Sequence, residues 1–322
     1  MKLATFEVAT PLGRVRRTGA VTAQGIVDLN FACGWRLERE GEARPAKLAD
    51  VLAPSNMREF LEGWRTSIEH ARRSLEATPP AIGSRGETIV HAPGHVRLCA
   101  PLTDPASLRD FYAFEQHVKT GFERRGEPMP QEWYEMPVYY KSGHHNIIGP
   151  GEDVLWPSFT GRFDYELELA AVIGTGGRNI PAARAMEHIA GFTVMNDFSA
   201  RDIQKREMKV RLGPAKGKDW ATALGPVLVT TDEIGDPYKL RMTACINGEL
   251  WSEGNSASIF WKFEQMIEFL TRDDEIHPGD VIGSGTVGTG CGLELDRWVQ
   301  PGDVMELEIE GIGVLRNRCV KA

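Results

Sequence analysis

The run Asp164-Tyr-Glu-Leu-Glu-Leu sets two carboxylates at two-residue spacing into a stretch that continues apolar to Ile173. On a β-strand, residues two apart share a face, so Glu166 and Glu168 point one way and Tyr165, Leu167 and Leu169 the other. The acidic face is either solvated or buried, and burial requires partners for its charges. Two further acids lie in equally compact settings. Asp110 opens Asp-Phe-Tyr-Ala-Phe-Glu-Gln-His, and Asp197 sits in Met-Asn-Asp-Phe-Ser-Ala-Arg-Asp after the apolar Val194. Four carboxylates brought together would repel strongly, and a hard divalent cation in an oxygen-rich cage removes that repulsion. Oxygen ligands favour Mg²⁺, Ca²⁺ or Mn²⁺ over zinc. The fold must then bring segments far apart in sequence to one place.

His117 follows Asp110 by seven residues, and helical spacing would put Asp110, Phe114 and His117 on one face. Glu294 follows the run Gly283-Ser-Gly-Thr-Val-Gly-Thr-Gly-Cys-Gly292. A carboxylate beside a histidine orients the ring and stabilises the imidazolium, which is how a water-activating base is built. The glycine run lacks the Gly-Lys-Ser/Thr ending of a phosphate loop and reads as backbone that must approach a substrate closely. Arg201, Gln204 and Lys218 are donors suited to an oxyanion or a substrate carboxylate, or else belong to a charged exposed helix. No Gly-x-Ser-x-Gly occurs, and His144–His145 lacks a zinc signature, so that pair reads as surface or structural.

The 322 residues suffice for one large or two ordinary domains. A formal charge of −8, with basic residues in pairs such as Arg72–Arg73 and Arg124–Arg125, argues against nucleic acid or anionic membrane as partners. The start Met1-Lys-Leu-Ala-Thr-Phe has no signal-peptide core and no apolar stretch approaches membrane-spanning length, so a cytoplasmic protein is expected. Cys33, Cys99, Cys245, Cys291 and Cys319 are odd in number and widely spaced, which suits reduced, buried thiols.

Strands are expected over Leu3–Val8, Gly13–Arg17 and Gly25–Leu29, and a helix over 57–76, where Met57, Phe60, Leu61, Trp64, Ile68, Ala71 and Leu75 recur at helical steps after Ser55 or Asn56 as cap. The Gly- and Pro-rich passage 83–105 separates a small β-rich N-terminal domain, residues 1–90, from a functional domain, residues 91–322. There Phe163–Ile173, Val227–Thr231, Leu240–Ile246 and Val304–Ile309 read as strands, and Pro181–Ala190 and Ile259–Leu270 as helices. Irregular order with strands in excess points to a β-rich α+β fold. The polar segment 118–136 reads as a surface loop, either a lid or an ordinary connection.

Taken together, these motifs resemble the fumarylacetoacetate hydrolase family, and its fumarylacetoacetase type in particular, over about residues 105–320. The resemblance implies a mixed β-sandwich roll with a small N-terminal domain. It places metal ligands on Asp110, Glu166, Glu168 and Asp197, and a second cation position on Lys218 and Thr222. The catalytic histidine falls on His117 and its partner acid on Glu294, with Arg201, Gln204 and Lys218 as transition-state donors. Substrate contacts fall on Tyr112, Tyr140, Gln204 and Gly285-Thr286. Two positions depart from the pattern: Met208 replaces a second substrate tyrosine, and the substrate arginine is met by Arg124 or Arg125 only after a one-residue gap.

By resemblance, the expected activity is metal-dependent hydrolysis of a carbon–carbon bond in a 1,3-dicarbonyl acid such as fumarylacetoacetate or an acylpyruvate. Decarboxylation or tautomerisation of a 2-oxo acid is the alternative at the same metal, and a non-catalytic metal-binding protein is a third. A homodimer is expected on the same ground.

Overall fold

The computed structural model describes residues 1–321. A mixed twelve-stranded sheet lies at its centre. Its main path runs Val90–His91, Gly25–Asp28, Gly13–Thr22, Lys2–Thr10, Thr222–Thr230, Ile189–Asp197, Leu167–Ile173, Asp280–Gly283, Ser107–Phe111 and Tyr139–Ser142. Two short strands, Arg97–Leu98 and Ile147–Ile148, pair with Lys2–Thr10 and Thr222–Thr230. A second sheet of five strands runs Glu249–Asn255, Arg241–Ile246, Val304–Ile309, Gly313–Lys321 and Asp153–Trp156. The result is the β-rich α+β architecture read from the sequence.

Alternation along the central strands decides what covers each face. Leu167, Leu169, Ala171 and Ile173 enter one apolar core with Val194, Val229, Met242 and Leu307, which joins the two sheets as a sandwich. Ala170 and Val172 point the other way, into a second core with Leu3, Leu29, Phe60, Leu61, Met195 and Leu228. Helices near the N-terminus therefore cover the sheet face opposite the second sheet. The register Lys2↔Val229 and Leu3↔Leu228 carries the sheet across residue 90 without a break.

Val304–Ile309 forms as expected, the strand expected over Phe163–Ile173 is interrupted at Tyr165–Glu166 into Phe163–Asp164 and Leu167–Ile173, and the other strands differ at their ends. The helix expected over 57–76 is two, Met57–Glu62 and Trp64–Glu76, divided at Gly63 and started by the Asn56 side chain, which accepts from the nitrogens of Arg58 and Glu59. Leu29 begins a helix, Leu29–Arg39, instead of ending a strand. Asp28 caps it by accepting from the Phe31 nitrogen while holding Arg17 at 2.6 Å. Ala190 belongs to a strand, since the helix after Pro181 covers only Ala182–Ala185 and a 3₁₀ turn leads into Ile189–Asp197. The helix expected at Ile259 begins at Phe263 and ends at Thr271.

The segment 118–136 differs most from its loop reading. It contains most of the helix Glu115–Arg125 and the 3₁₀ turn Gln131–Tyr134. Trp133 is buried, donates to the Tyr112 carbonyl at 2.7 Å, and packs on Phe260 and Trp261. A single buried indole anchors a segment whose average composition is that of a loop.

Candidate active site

The sheet register brings the acidic residues to one end. Asp110 lies one residue from the end of Ser107–Phe111, Asp197 closes Ile189–Asp197, Glu168 lies near the start of Leu167–Ile173, and Thr222 opens Thr222–Thr230. The alternation that fixes the cores also fixes their face. Asp110 has the parity of Leu108, Glu168 of Ala170, Asp197 of Met195 and Thr222 of Leu224, all on the helix-covered side. In register, Asp110 lies opposite Gly283, and Asp197 opposite Thr222. A Cβ at Gly283 would overlap Asp110 Oδ1 and Met195 Cε, so the missing side chain lets the Asp110 carboxylate lie across the neighbouring strand.

Oxygens of Asp110, Glu168 and Asp197 lie within 4.8 Å of one another, in side chains with almost no exposure. The Gly285 amide donates to Asp110 Oδ1 at 3.2 Å and Glu168 Oε2 at 3.1 Å, and Thr286 Oγ1 to Glu168 Oε1 at 3.4 Å. The glycine run thus lies against the protein's own carboxylates. Burial, and then the charge of Asp197, push the Asp110 carboxyl well above its ordinary range. Burial and the charge of Asp110 do the same to Glu168.

Glu166 lies two residues away yet turns to different partners. Its oxygens meet Arg201 at 2.8 Å and Lys218, and Lys218 also bridges to Asp197. Burial raises the Glu166 carboxyl, but Arg201 and Lys218 outweigh it and hold the group below its ordinary value. Burial likewise disfavours the Lys218 ammonium, and Asp197 and Glu166 more than offset it, so the pKa of Lys218 is raised. The Tyr140 hydroxyl bonds Asp197 Oδ2. Arg201 is buried, and its guanidinium donates to Asp164 and to the Gln204 side-chain oxygen Oε1 and forms an ion pair with Glu166.

Asp164 was not singled out by sequence reasoning, although it opens the motif. Wholly buried, it accepts from the Gly292 nitrogen at 2.8 Å, the Leu293 nitrogen at 3.0 Å and Arg201 Nε at 2.8 Å. It ties the turn that carries Glu294 to the arginine that holds Glu166. Gly292 is required there, since a Cβ would strike the Arg297 carbonyl and Asp164 Oδ1.

His117 Nδ1 lies 2.9 Å from Glu294 Oε2, and both side chains are buried. His117 comes from the helix Glu115–Arg125 and Glu294 from the short helix Gly292–Leu295. The Tyr112 ring packs edge-on against His117 at 5.2 Å, and burial pushes its hydroxyl up to about 12. Arg124 bonds the Glu294 carbonyl at 2.9 Å, whereas Arg125 lies over the Phe122 ring and bonds Glu127. An added Cβ at Gly121 would lie 2.8 Å from the Tyr112 hydroxyl and 3.5 Å from Arg125 Nη1, so Arg125 is the arginine near that tyrosine. Met208 is half exposed, near the end of the helix Arg201–Lys209.

The residues fit a divalent cation. Five buried carboxylates (Asp110, Asp164, Glu166, Glu168 and Asp197) face two buried cations, Arg201 and Lys218, leaving three negative charges uncompensated when all are ionised. Asp197 Oδ1 and Thr222 Oγ1 are buried without a hydrogen-bonding partner. Hard oxygen donors with surplus negative charge are what such an ion requires.

Fold and donor set define a β-rich α+β protein with a buried divalent-cation site beside a histidine–glutamate pair. The fumarylacetoacetate (FAA) hydrolase C-terminal family matches residues 107–320, and the chain belongs to the fumarylacetoacetate hydrolase family. It is 34% identical over 273 residues to the human mitochondrial oxaloacetate tautomerase FAHD2A, spanning 84% of this chain and 82% of that one. The crystal structure of an HpcE-type protein from Mycobacterium smegmatis superposes with a TM-score of 0.73 at 28% identity, covering 98% of this chain and 99% of that one. A fumarylpyruvate hydrolase from Pseudomonas aeruginosa, in complex with Mn²⁺ and pyruvate, matches at 25% identity and a TM-score of 0.59, over 68% of this chain and 91% of that one.

Proposed function

We propose that the protein is a metal-dependent enzyme for small 2-oxo acids carrying a second carbonyl or carboxyl group, and that it hydrolyses the carbon–carbon bond of a 1,3-dicarbonyl acid. The observation that carries this reading is the buried His117–Glu294 pair beside the Asp110–Glu168–Asp197 carboxylates. Asp110, Glu168 and Asp197 would hold the cation with Glu166 behind them, and a bound Mg²⁺, Mn²⁺ or Ca²⁺ would supply Lewis-acid polarisation of the substrate's oxygens.

His117 Nε2 takes the proton of a water molecule as that water attacks the carbonyl, and Glu294 stabilises the imidazolium through Nδ1. Lys218 stays protonated between Glu166 and Asp197, where an ammonium can meet negative charge developing on substrate. Gln204, oriented by Arg201, offers its amide hydrogens to the same region. With its guanidinium held by Asp164 and Glu166, Arg201 acts by placing these groups. Tyr112, Tyr140 and Arg125 bound the substrate, whereas Arg124 fixes the turn of Glu294.

Keto–enol tautomerisation of a 2-oxo dicarboxylic acid is the second reading, favoured by the 34% identity to the human oxaloacetate tautomerase. It needs the same polarised carbonyl and a proton shuttle, which His117 would provide, but no attack by water. Product analysis separates the two. Incubation of acylpyruvates and oxaloacetate with the Mg²⁺- or Mn²⁺-loaded protein yields two acids under hydrolysis. Faster keto–enol exchange with no cleavage would instead establish the tautomerase.

A further inference from the structure

Cys291 is wholly buried three residues before Glu294, and its Sγ lies 3.4 Å from Glu294 Oε2. That oxygen also faces His117 Nδ1, and the sulfur, ring nitrogen and carboxylate oxygen all lie within 4.8 Å of one another. The 2.9 Å contact to Oε2 does not satisfy His117 Nδ1 as a hydrogen bond, and His117 Nδ1 and Glu294 Oε1 are both buried polar atoms without a hydrogen-bonding partner, in side chains 8% and 3% exposed. A backbone bridge between Glu166 and Cys291 holds the main chain that carries the sulfur. We propose that His117, Cys291 and Glu294 form a second cation site, which takes a thiophilic divalent ion such as Zn²⁺ or Co²⁺ and silences the proton-transfer pair while occupied.

The donor chemistry distinguishes this site from the carboxylate cluster. One sulfur, one imidazole nitrogen and one carboxylate oxygen are the ligands of a tetrahedral zinc centre with its fourth position open. Bonds of about 2.0–2.3 Å to a tetrahedral ion separate its ligand atoms by about 3.3–3.8 Å. The observed 3.4 Å and 2.9 Å therefore call for only small side-chain movements. Binding converts the thiol to a metal-bound thiolate and releases its proton to solvent. A doubly charged ion with one thiolate, one carboxylate and a neutral imidazole is electrically neutral, which suits a buried position. Mg²⁺ and Ca²⁺ prefer oxygen and leave this site to softer ions. Binding follows from geometry and donor type alone, whereas silencing rests on the role proposed for His117 and Glu294.

The test is a Co²⁺ titration of chelator-treated protein already saturated with Mg²⁺. Wild type gains a thiolate-to-cobalt charge-transfer band and the visible spectrum of a four-coordinate ion, saturating at one equivalent per chain. Cys291→Ser loses the charge-transfer band, and Cys245→Ser, at a half-buried thiol remote from the pair, keeps it. Absence of the band in wild type, or its survival in Cys291→Ser, overturns the site. Should Cys291→Ser fail to fold by circular dichroism, His117→Ala replaces it. Loss of one ligand then weakens the band's apparent affinity by about tenfold or more, and an unchanged titration overturns the proposal. Turnover of wild type falls as Zn²⁺ fills the site. A full cobalt spectrum with undiminished turnover under Zn²⁺ would overturn the silencing and leave the binding standing.

Discussion

Asp164 holds the two halves of the site together by accepting from the nitrogens of Gly292 and Leu293 and from the Arg201 guanidinium. Removing a buried anion whose partners remain buried destabilises by about 3–5 kcal/mol, so Asp164→Ala should lose that much in urea unfolding; an unchanged midpoint would mean the network holds nothing in place. His117→Ala and Glu294→Gln act on the chemistry instead and should each lower kcat by about 10²–10⁴-fold while leaving the unfolding midpoint of the metal-loaded protein nearly unchanged. At this scale the sequence was a good guide where residue type carries the meaning. The carboxylates at 110, 168 and 197 and the histidine–glutamate pair all converge. What stayed hidden depends on partners from distant strands. The sequence pairs Glu166 with Glu168 on one face, whereas Arg201 and Lys218 draw Glu166 to themselves. Nothing local marks Asp164 as a neighbour of the turn that carries Glu294.

Among the elements, strands were legible because their period of two is strict, as Leu167–Ile173 shows by dividing its residues between the two cores. Helices near the N-terminus were less so. Leu29–Arg39 buries Asn30, Cys33, Gly34 and Arg36 beside Leu29 and Leu37, a mixture that breaks the apolar periodicity on which helix recognition depends. The helix Glu115–Arg125 is polar over most of its surface and is held by its N-terminal contacts and by Trp133 beyond it. The strand Asp280–Gly283 sets the sharpest test of an element's role. Gly283→Ala would put a methyl where the Asp110 carboxylate lies, and Mn²⁺ affinity by calorimetry should fall about 10–100-fold with the circular dichroism spectrum retained. Undiminished affinity would show that the Asp110 carboxylate is not held where the ion binds.

For the whole molecule, stability couples to cation and to pH. An ion bound only by the native state adds about 2.7 kcal/mol at a concentration 100 times its Kd, so Mg²⁺ or Mn²⁺ should raise the thermal midpoint and a chelator lower it again. One contribution to the acid response comes from histidines that fold in their neutral form. Burial, then Arg36, lower the pKa of His70, and burial lowers that of His91 despite the nearby Asp28. Their unfolded value is about 6.5, so the unfolded chain binds protons first as pH falls. Their contribution to stability is therefore fully present above about pH 6.5 and is lost as pH falls toward the lowered folded values. In urea unfolding between pH 7.5 and 5, a combined His70→Gln and His91→Gln variant should lose less stability on acidification than wild type, against the same opposing contribution of the raised Asp110 and Glu168 carboxyls; equal pH dependences would show that these two histidines carry none of it.

The proposed coupling of a divalent cation to proton transfer by His117 rests on one buried site. Its most direct measurement follows the enol absorbance of an acylpyruvate with product analysis, in metal-stripped protein, in protein reloaded with Mg²⁺ or Mn²⁺, and in reloaded His117→Ala. Two carboxylic acid products are expected from the reloaded wild type alone. Cleavage that persists without metal or without His117 would contradict it.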